Sequence, residues 1–263
     1  MRKTLLMAAV ALASGITGVR AESPAFTADA VQQHPQQGAQ QGRLFVSPQG
    51  TRFETVRNGQ QMVQVFLHQG NVVRMIMPSR QAYVEYAVPS APPGMPGVKA
   101  QSPCPPADAR MGQIPCQKVG ADTLSGLPVE KWRITPPQSK GALMVWWEPR
   151  RAMVLRQEYP DGRVMNQAFT GKSQWEGRSV EAWETTFMSP DGQTQKSQQF
   201  IDPELGVTVR ETAPGGLERS LKNIQIVQPD PAWFAVPQGY QKMDPRQMQG
   251  QGQGQGQGRG PAQ

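Results

Sequence analysis

The chain has little of what catalytic and metal sites are built from. Its 263 residues include two histidines and two cysteines. His34 lies in a polar stretch and His68 at a hairpin turn, where a histidine reads as solvated rather than as the base of a triad. No Gly-x-Ser-x-Gly elbow is present. Gly171-Lys172-Ser173 has the ending of a phosphate-binding loop, but position 166 is Asn and the context is a strand pair, so that reading is rejected. Two thiols with no nearby His or third Cys cannot fill a zinc shell. No metal or other cofactor is therefore expected, and the chain does not read as an enzyme. After residue 21 there is no long apolar run, which excludes a later spanning helix. Helical periodicity of useful length is also missing.

What is present begins with a secretory signal at 1–21. Arg2 and Lys3 form a charged start, 5–16 is a short apolar core, and Val19-Arg20-Ala21 is a cleavage site. An N-terminal anchor is the alternative reading. No cysteine follows the apolar core, so no lipid attachment is expected there. These features point to the bacterial periplasm. Cys104 and Cys116 suit that oxidising compartment and are expected to be bonded. Closing so short a loop stabilises by about 3 kcal/mol in the chain-entropy picture. The chain carries 27 Lys+Arg against 20 Asp+Glu; without Arg2, Lys3 and Arg20 this becomes 24 against 20, a net charge of +4. The basic residues are scattered and form no basic-aromatic motif, which argues against nucleic acid as a partner.

One unit occurs twice. Ser125-Gly-Leu-Pro-Val-Glu-Lys-Trp132 returns as Glu176-Gly-Arg-Ser-Val-Glu-Ala-Trp183. Trp147-Glu-Pro-Arg-Arg-Ala-Met-Val-Leu-Arg156 returns as Ile201-Asp-Pro-Glu-Leu-Gly-Val-Thr-Val-Arg210. Copies of a supersecondary unit commonly build one sheet. Trp132 and Trp183 are expected in equivalent, largely buried places. Glu130, Glu181, Arg156 and Arg210 recur with the unit and read as cross-strand ion pairs more readily than as paired acid–base carboxylates.

Short runs rich in Val, Phe, Tyr and Met, separated by turns, fill most of the chain. Strands are expected at 25–33, 42–47, 51–56, 61–67, 71–77 and 81–86, with 36–41 as a polar connection and Asn58-Gly59 as a hairpin turn. A second series is expected at 118–120, 129–134, 142–147, 152–159, 163–169, 180–187, 194–201, 207–212 and 221–227. Between the two series, 88–117 is a long Pro-rich stretch holding both cysteines, suited to covering one end of the sheet as a lid. Trp233 and Phe234 in 230–238 are expected to plug the sheet edge. From 247 to 263 the chain is Gln/Gly alternation with almost no apolar side chains, and is expected to be disordered. The folded domain is expected to span 22–246.

Several strands are apolar on both faces. Ala142, Met144 and Trp146 alternate with Leu143, Val145 and Trp147; Met62 and Phe66 oppose Val63, Val65 and Leu67; Val73, Met75 and Met77 oppose Val72 and Ile76. Both faces of such strands are expected to be covered, either in a β-sandwich or loop-buried sheet, or as a curved sheet around an apolar cavity. Alternation assigns Phe66, Met75, Met77, Met144 and Trp146 to the concave side of the second arrangement.

Four segments resemble a family of bacterial periplasmic proteins of unknown function. They are 74–85 (Arg74-Met-Ile-Met-Pro-Ser-Arg-Gln-Ala-Tyr-Val-Glu85), 116–132, Asp202-Pro-Glu-Leu-Gly-Val-Thr-Val-Arg210 and Phe234-Ala-Val-Pro-Gln-Gly-Tyr240. That family is related in fold to the LolA/LolB lipoprotein carriers and to the sensor regulator RseB. The resemblance implies an all-β protein with one antiparallel, strongly curved, unclosed barrel around an apolar cavity. It also implies a non-enzymatic periplasmic carrier for a lipid, acyl chain or lipidated protein. The alternative it leaves is an envelope regulatory or scaffold module that binds a protein partner. The carriers cover the cavity with helices, and no amphipathic helix is evident in this chain.

Overall fold

The computed structural model describes residues 23–36, 38–57, 59–90, 96, 100–106, 112–137 and 139–245. The expected signal segment and the Gln/Gly tail lie outside the described residues. The first half contributes β1 (Phe26–His34), β2 (Gly38–Ser47), β3 (Gly50–Arg57), β4 (Gln60–Leu67), β5 (Val72–Met77) and β6 (Ala82–Ala87). After the Pro-rich segment come β7 (Cys116–Leu124), β8 (Leu127–Ile134), β9 (Leu143–Glu148), β10 (Met153–Glu158) and β11 (Val164–Trp175). They are followed by β12 (Arg178–Met188), β13 (Thr194–Asp202), β14 (Val207–Ala213), β15 (Leu217–Ile226) and the two-residue β16 (Gln241–Lys242).

All sixteen form one sheet, ordered β16-β6-β5-β4-β3-β2-β1-β15-β14-β13-β12-β11-β10-β9-β8-β7. Every pairing is antiparallel except β16 with β6. The sheet is all-β, strongly curved and unclosed: β16 caps one edge through Gln241↔Ala82, and β7 forms the other. Among the described residues no helix is long and apolar enough to cross a membrane.

The hairpins follow from local chemistry. Ser125 and Gly126 have φ of 50° and 78°, and Glu176 and Gly177 have 50° and 78°. Two successive positive φ angles match the right-handed twist of the flanking strands, and glycine takes the second at no steric cost. The repeat thus opens each copy with the same turn. Each copy also closes its acidic-Pro turn in the same way. Glu148, fully buried, accepts from the backbone N–H of Arg150 (3.0 Å) and Arg151 (2.9 Å). Asp202 accepts from the N–H of Glu204 (2.9 Å) and Leu205 (3.0 Å). Ser47-Pro48 is a third turn of this design, with Ser47 Oγ accepting from Gln49 N–H at 3.1 Å.

The core is made by the sheet coiling over itself. The sheet has two faces, one carrying Phe26 and the other Phe45. Phe26, Ala28, Leu44 and Val46 share the first face and pack in one cluster with Val180, Leu205, Val207 and Val209. Traced through β15, β14 and β13, Val180 and Val207 lie on the opposite face. Trp183, on the Phe26 face of β12, packs in turn with Val129, Trp146 and Leu155, on the Phe45 face of β8–β10. The overlap arises where neighbouring strands part. β14 pairs with β15 only over Arg210–Ala213, and β10 with β11 only over Arg156–Glu158. Register shifts in β13–β14 and β9–β10 bend the strands at the same places. This explains the two-faced strands: β12 is buried at Val180 on one side and at Trp183 on the other.

The C-terminal segment covers the Phe45 face of β3–β5. Phe234 packs with Val63, Val65 and Ile76, and Trp233 lies 5.3 Å from the Phe45 ring. Gly50 leaves room for the Phe234 ring, since a Cβ there would meet it at 3.2 Å. Arg52 and Arg74 donate to the carbonyls of Trp233 and Phe234, each at 2.8 Å. Trp233 and Phe234 therefore close a face of the sheet, while β16 caps its edge; the expectation that the aromatics plug the edge is corrected. The expected connection at 36–41 is also largely strand, since β2 begins at Gly38 and pairs with β1 from His34 onward.

Candidate functional site

Alternation within β4 and β5, with the pairs Phe66↔Val73 and Gln64↔Met75, places Phe66, Val73, Met75 and Met77 together on the Phe26 face. Val84 joins them from β6 opposite Met75. Phe66, Val73, Met77 and Val84 are buried and Met75 half-buried, yet none belongs to the four core clusters of described residues. The described contact above them comes from the Pro-rich segment: Thr51, paired with Phe66, donates its hydroxyl to the Pro96 carbonyl at 2.7 Å. His68 supports this point. Its ring lies 5.7 Å from Phe66, Nδ1 is 3.0 Å from the Pro48 carbonyl, and Nε2 is 3.4 Å from Thr51 Oγ1. Burial lowers its pKa, partly offset by the bond to Pro48. His68 is thus a half-buried packing residue, which corrects the solvated reading.

Met144 and Trp146 lie elsewhere. The register carries them to the Phe45 face of β9, far along the sheet from β4 and β5. Trp146 is buried; its Nε1 donates to Asp122 Oδ2 at 2.9 Å, and Lys131 and Arg156 stand over its ring at 4.7 and 5.5 Å. It is a pillar of the third cluster. The five residues assigned to one concave side therefore form two groups. Alternation fixes sides within a strand; between distant strands the coil of the sheet decides which sides meet.

The repeated carboxylates are ion pairs. Lys118 Nζ meets Glu130, and Arg151 meets Glu181 with Nε and Nη2 both at 2.9 Å. Trp132 Nε1 donates to Glu130 at 3.1 Å and Trp183 Nε1 to Glu181 at 3.2 Å, the same geometry in both copies. The hydrogen bond from Lys118 holds the Glu130 carboxyl below its usual range, and that from Arg151 does the same for Glu181. Arg210 pairs with Glu218, and Arg156 with Glu158. Among the described residues no group of three His, Cys, Asp or Glu is placed to hold a metal ion.

Cys104 and Cys116 are bonded, with S–S 2.03 Å. The bond ties the Pro-rich segment to the first residue of β7. Beside it an open depression of about 430 Å³ is lined by Ile114, Pro115, Cys116, Gln117, Arg133 and Thr135. None of the five residues assigned to a cavity lines it. Nothing in the sequence pattern marks this depression, because Arg133 and Thr135 come from β8 and the loop after it.

No family model matches the chain, and no curated protein does. Solved structures overlap it loosely. A LolA superfamily protein from Nitrosomonas europaea is 9% identical, with a TM-score of 0.37 over 82% of this chain and 92% of that one. A DUF1329 family protein from Desulfovibrio piger is 9% identical, with a TM-score of 0.28 over 81% and 90%. MucB in complex with MucA(peri) is 12% identical, with a TM-score of 0.20 over 79% and 95%.

Proposed function

We propose that this is a non-enzymatic binding protein of the bacterial periplasm that holds an apolar ligand, a lipid or acyl chain, free or attached to a protein. The ligand lies on the Phe26 face of β4–β6, against Phe66, Met75 and Met77, with the Pro-rich segment as its cover. The observation that carries this reading is an apolar, Met-bearing face that joins none of the four core clusters and is bonded from above by a Pro-rich segment at Pro96. Thioether side chains adapt to irregular apolar partners, which suits a ligand of variable chain length. The disulfide shortens the free length of the cover and so limits the entropy lost on closure.

A fluorescent fatty-acid probe tests the reading. The wild-type protein should bind it saturably, and Met75→Gln should weaken binding about tenfold, the effect of placing an amide where about two methylene groups were buried. Absence of any binding by folded wild-type protein would sink the carrier reading and leave a role in binding a protein partner.

A further inference from the structure

The C-terminal strap, residues 227–245, is held to the first half of the sheet by contacts unlike those of the strands beneath it. Phe234 is its one buried residue; Trp233 and Tyr240 are half-buried beside the same cluster. The strands it covers are bonded on both sides and carry Val63, Val65 and Ile76 into that cluster. The polar contacts grip mainly the backbone of the strap. Arg52 donates through Nε to Glu54 at 2.7 Å and through Nη1 to the Trp233 carbonyl at 2.8 Å. Arg74 repeats this, with Nε on Glu85 and Nη1 on the Phe234 carbonyl at 2.8 Å. Two guanidiniums, each held by a carboxylate, thus grip two consecutive carbonyls. Further along, Gln241 N–H donates to the Gln81 carbonyl at 2.9 Å and Met243 N–H to that of Tyr83 at 2.8 Å. The next donor of this parallel ladder would be residue 245, a proline with no N–H, so β16 cannot lengthen. Glu85 serves both parts of the grip: one oxygen takes Arg74 and the other takes Lys242 of the strap at 3.0 Å. These partners, Arg74 foremost, hold its carboxyl below the usual range.

We propose that the strap is a releasable mask, which opens as a unit while the sheet stays folded, and that Glu85 holds it shut. Segments with few buried apolar contacts open at lower free energy than the core strands they lie on. The contrast here is one buried ring and two half-buried ones against strands bonded on both sides. Opening frees the Gln81 and Tyr83 carbonyls on the β6 edge and bares the Phe45 face of β4 and β5. An unpaired edge beside an apolar face is open to pairing with a strand of another chain. The shut strap therefore blocks strand addition at this end of the sheet, and Glu85 sets how often the block lifts. Without its carboxylate, Lys242 loses its partner and Arg74 loses the anchor that aims it at Phe234. The strap lies on the opposite face of β4 and β5 from Phe66 and Met75, so the proposal does not depend on the apolar-ligand reading.

Native-state hydrogen exchange on the full chain tests the proposal. In the wild type the amides of Trp233, Gln241 and Met243 should share one level of protection, about a hundredfold or more below that of β4. Glu85→Gln should lower it about tenfold further at all three and leave β4 unchanged, the effect of losing one hydrogen bond between charged groups. Lys242→Gln removes only the exposed half of the network and should lower it about threefold. That variant keeps the Arg74–Glu85 pair, so it guards against a folding defect in the Glu85 variant. Equal protection in the strap and in β4 would overturn the proposal, because the strap would then open only with the sheet. So would protection lost at Gln241 and Met243 alone, which is fraying of β16, or protection unchanged in both variants.

Discussion

At the scale of single residues, the protein places its carboxylates where they finish turns and bind cations. Asp202 shows both roles: it caps the turn after β13 and pairs with Arg178 while 99% buried. Glu181 is the clearer subject for a pH experiment. Arg151 binds it through two nitrogens, and that bond is the largest cause of its lowered pKa. A carboxyl whose pKa is lower in the folded than in the unfolded chain binds fewer protons when folded. Its contribution is therefore present above the unfolded value, about 4.5, and is lost as pH falls through the folded value. Glu181→Gln should cost about 1 kcal/mol at pH 7, after allowance for solvent at a partly exposed pair. The difference from wild type should shrink on acidification. Urea unfolding at pH 7 and pH 3 checks this; an equal difference at both values would assign the loss to packing beneath Trp183.

At the scale of elements, strands were legible where they cross the core and obscure where they leave it. Asn58-Gly59 announced the β3–β4 hairpin because Gly59 takes a positive φ of 73° that few other residues tolerate. β7 runs from Cys116 to Leu124, although only 118–120 reads as strand, because seven of its nine residues are exposed and carry no alternation. β11 continues to Trp175 past a register shift at Thr170 for the same reason. The cysteines were legible from compartment and spacing. Their bond anchors Cys104 to the first residue of β7. Labelling with a thiol reagent under denaturing, non-reducing conditions should find no free thiol. Cys104→Ser with Cys116→Ser should lower stability by up to about 3 kcal/mol. Two labelled cysteines in the mature protein would refute the first expectation, and unchanged unfolding in the double variant the second.

At the scale of the whole molecule, the repeat builds one continuous sheet, but its two copies do not end in the same surroundings. Both tryptophans lie on the Phe26 face and donate to the glutamate two residues earlier. Trp183 is 1% exposed, enclosed between its own layer and β8–β10, while Trp132 lies near the sheet edge and is only half-buried. The sequence could show the equivalence of the two positions. It could not show that the coil stacks a third layer on one and leaves the other at the rim, because that depends on where distant strands part. The same distinction divides the candidate site, since Met75 and Trp146 read alike in sequence and lie on opposite faces. It also yields an energetic asymmetry. Trp183→Ala removes a ring that joins two layers and should cost about 3–5 kcal/mol. Trp132→Ala loses a smaller buried area and should cost about half as much. Because β12 is clamped between layers, loss of Trp183 should also weaken the whole sheet as one unit, so that far-ultraviolet dichroism and tryptophan fluorescence still report coincident transitions. Equal costs for the two substitutions would mean that the layers do not stack at Trp183. Separate transitions in the Trp183 variant would mean that the two halves of the sheet fold independently.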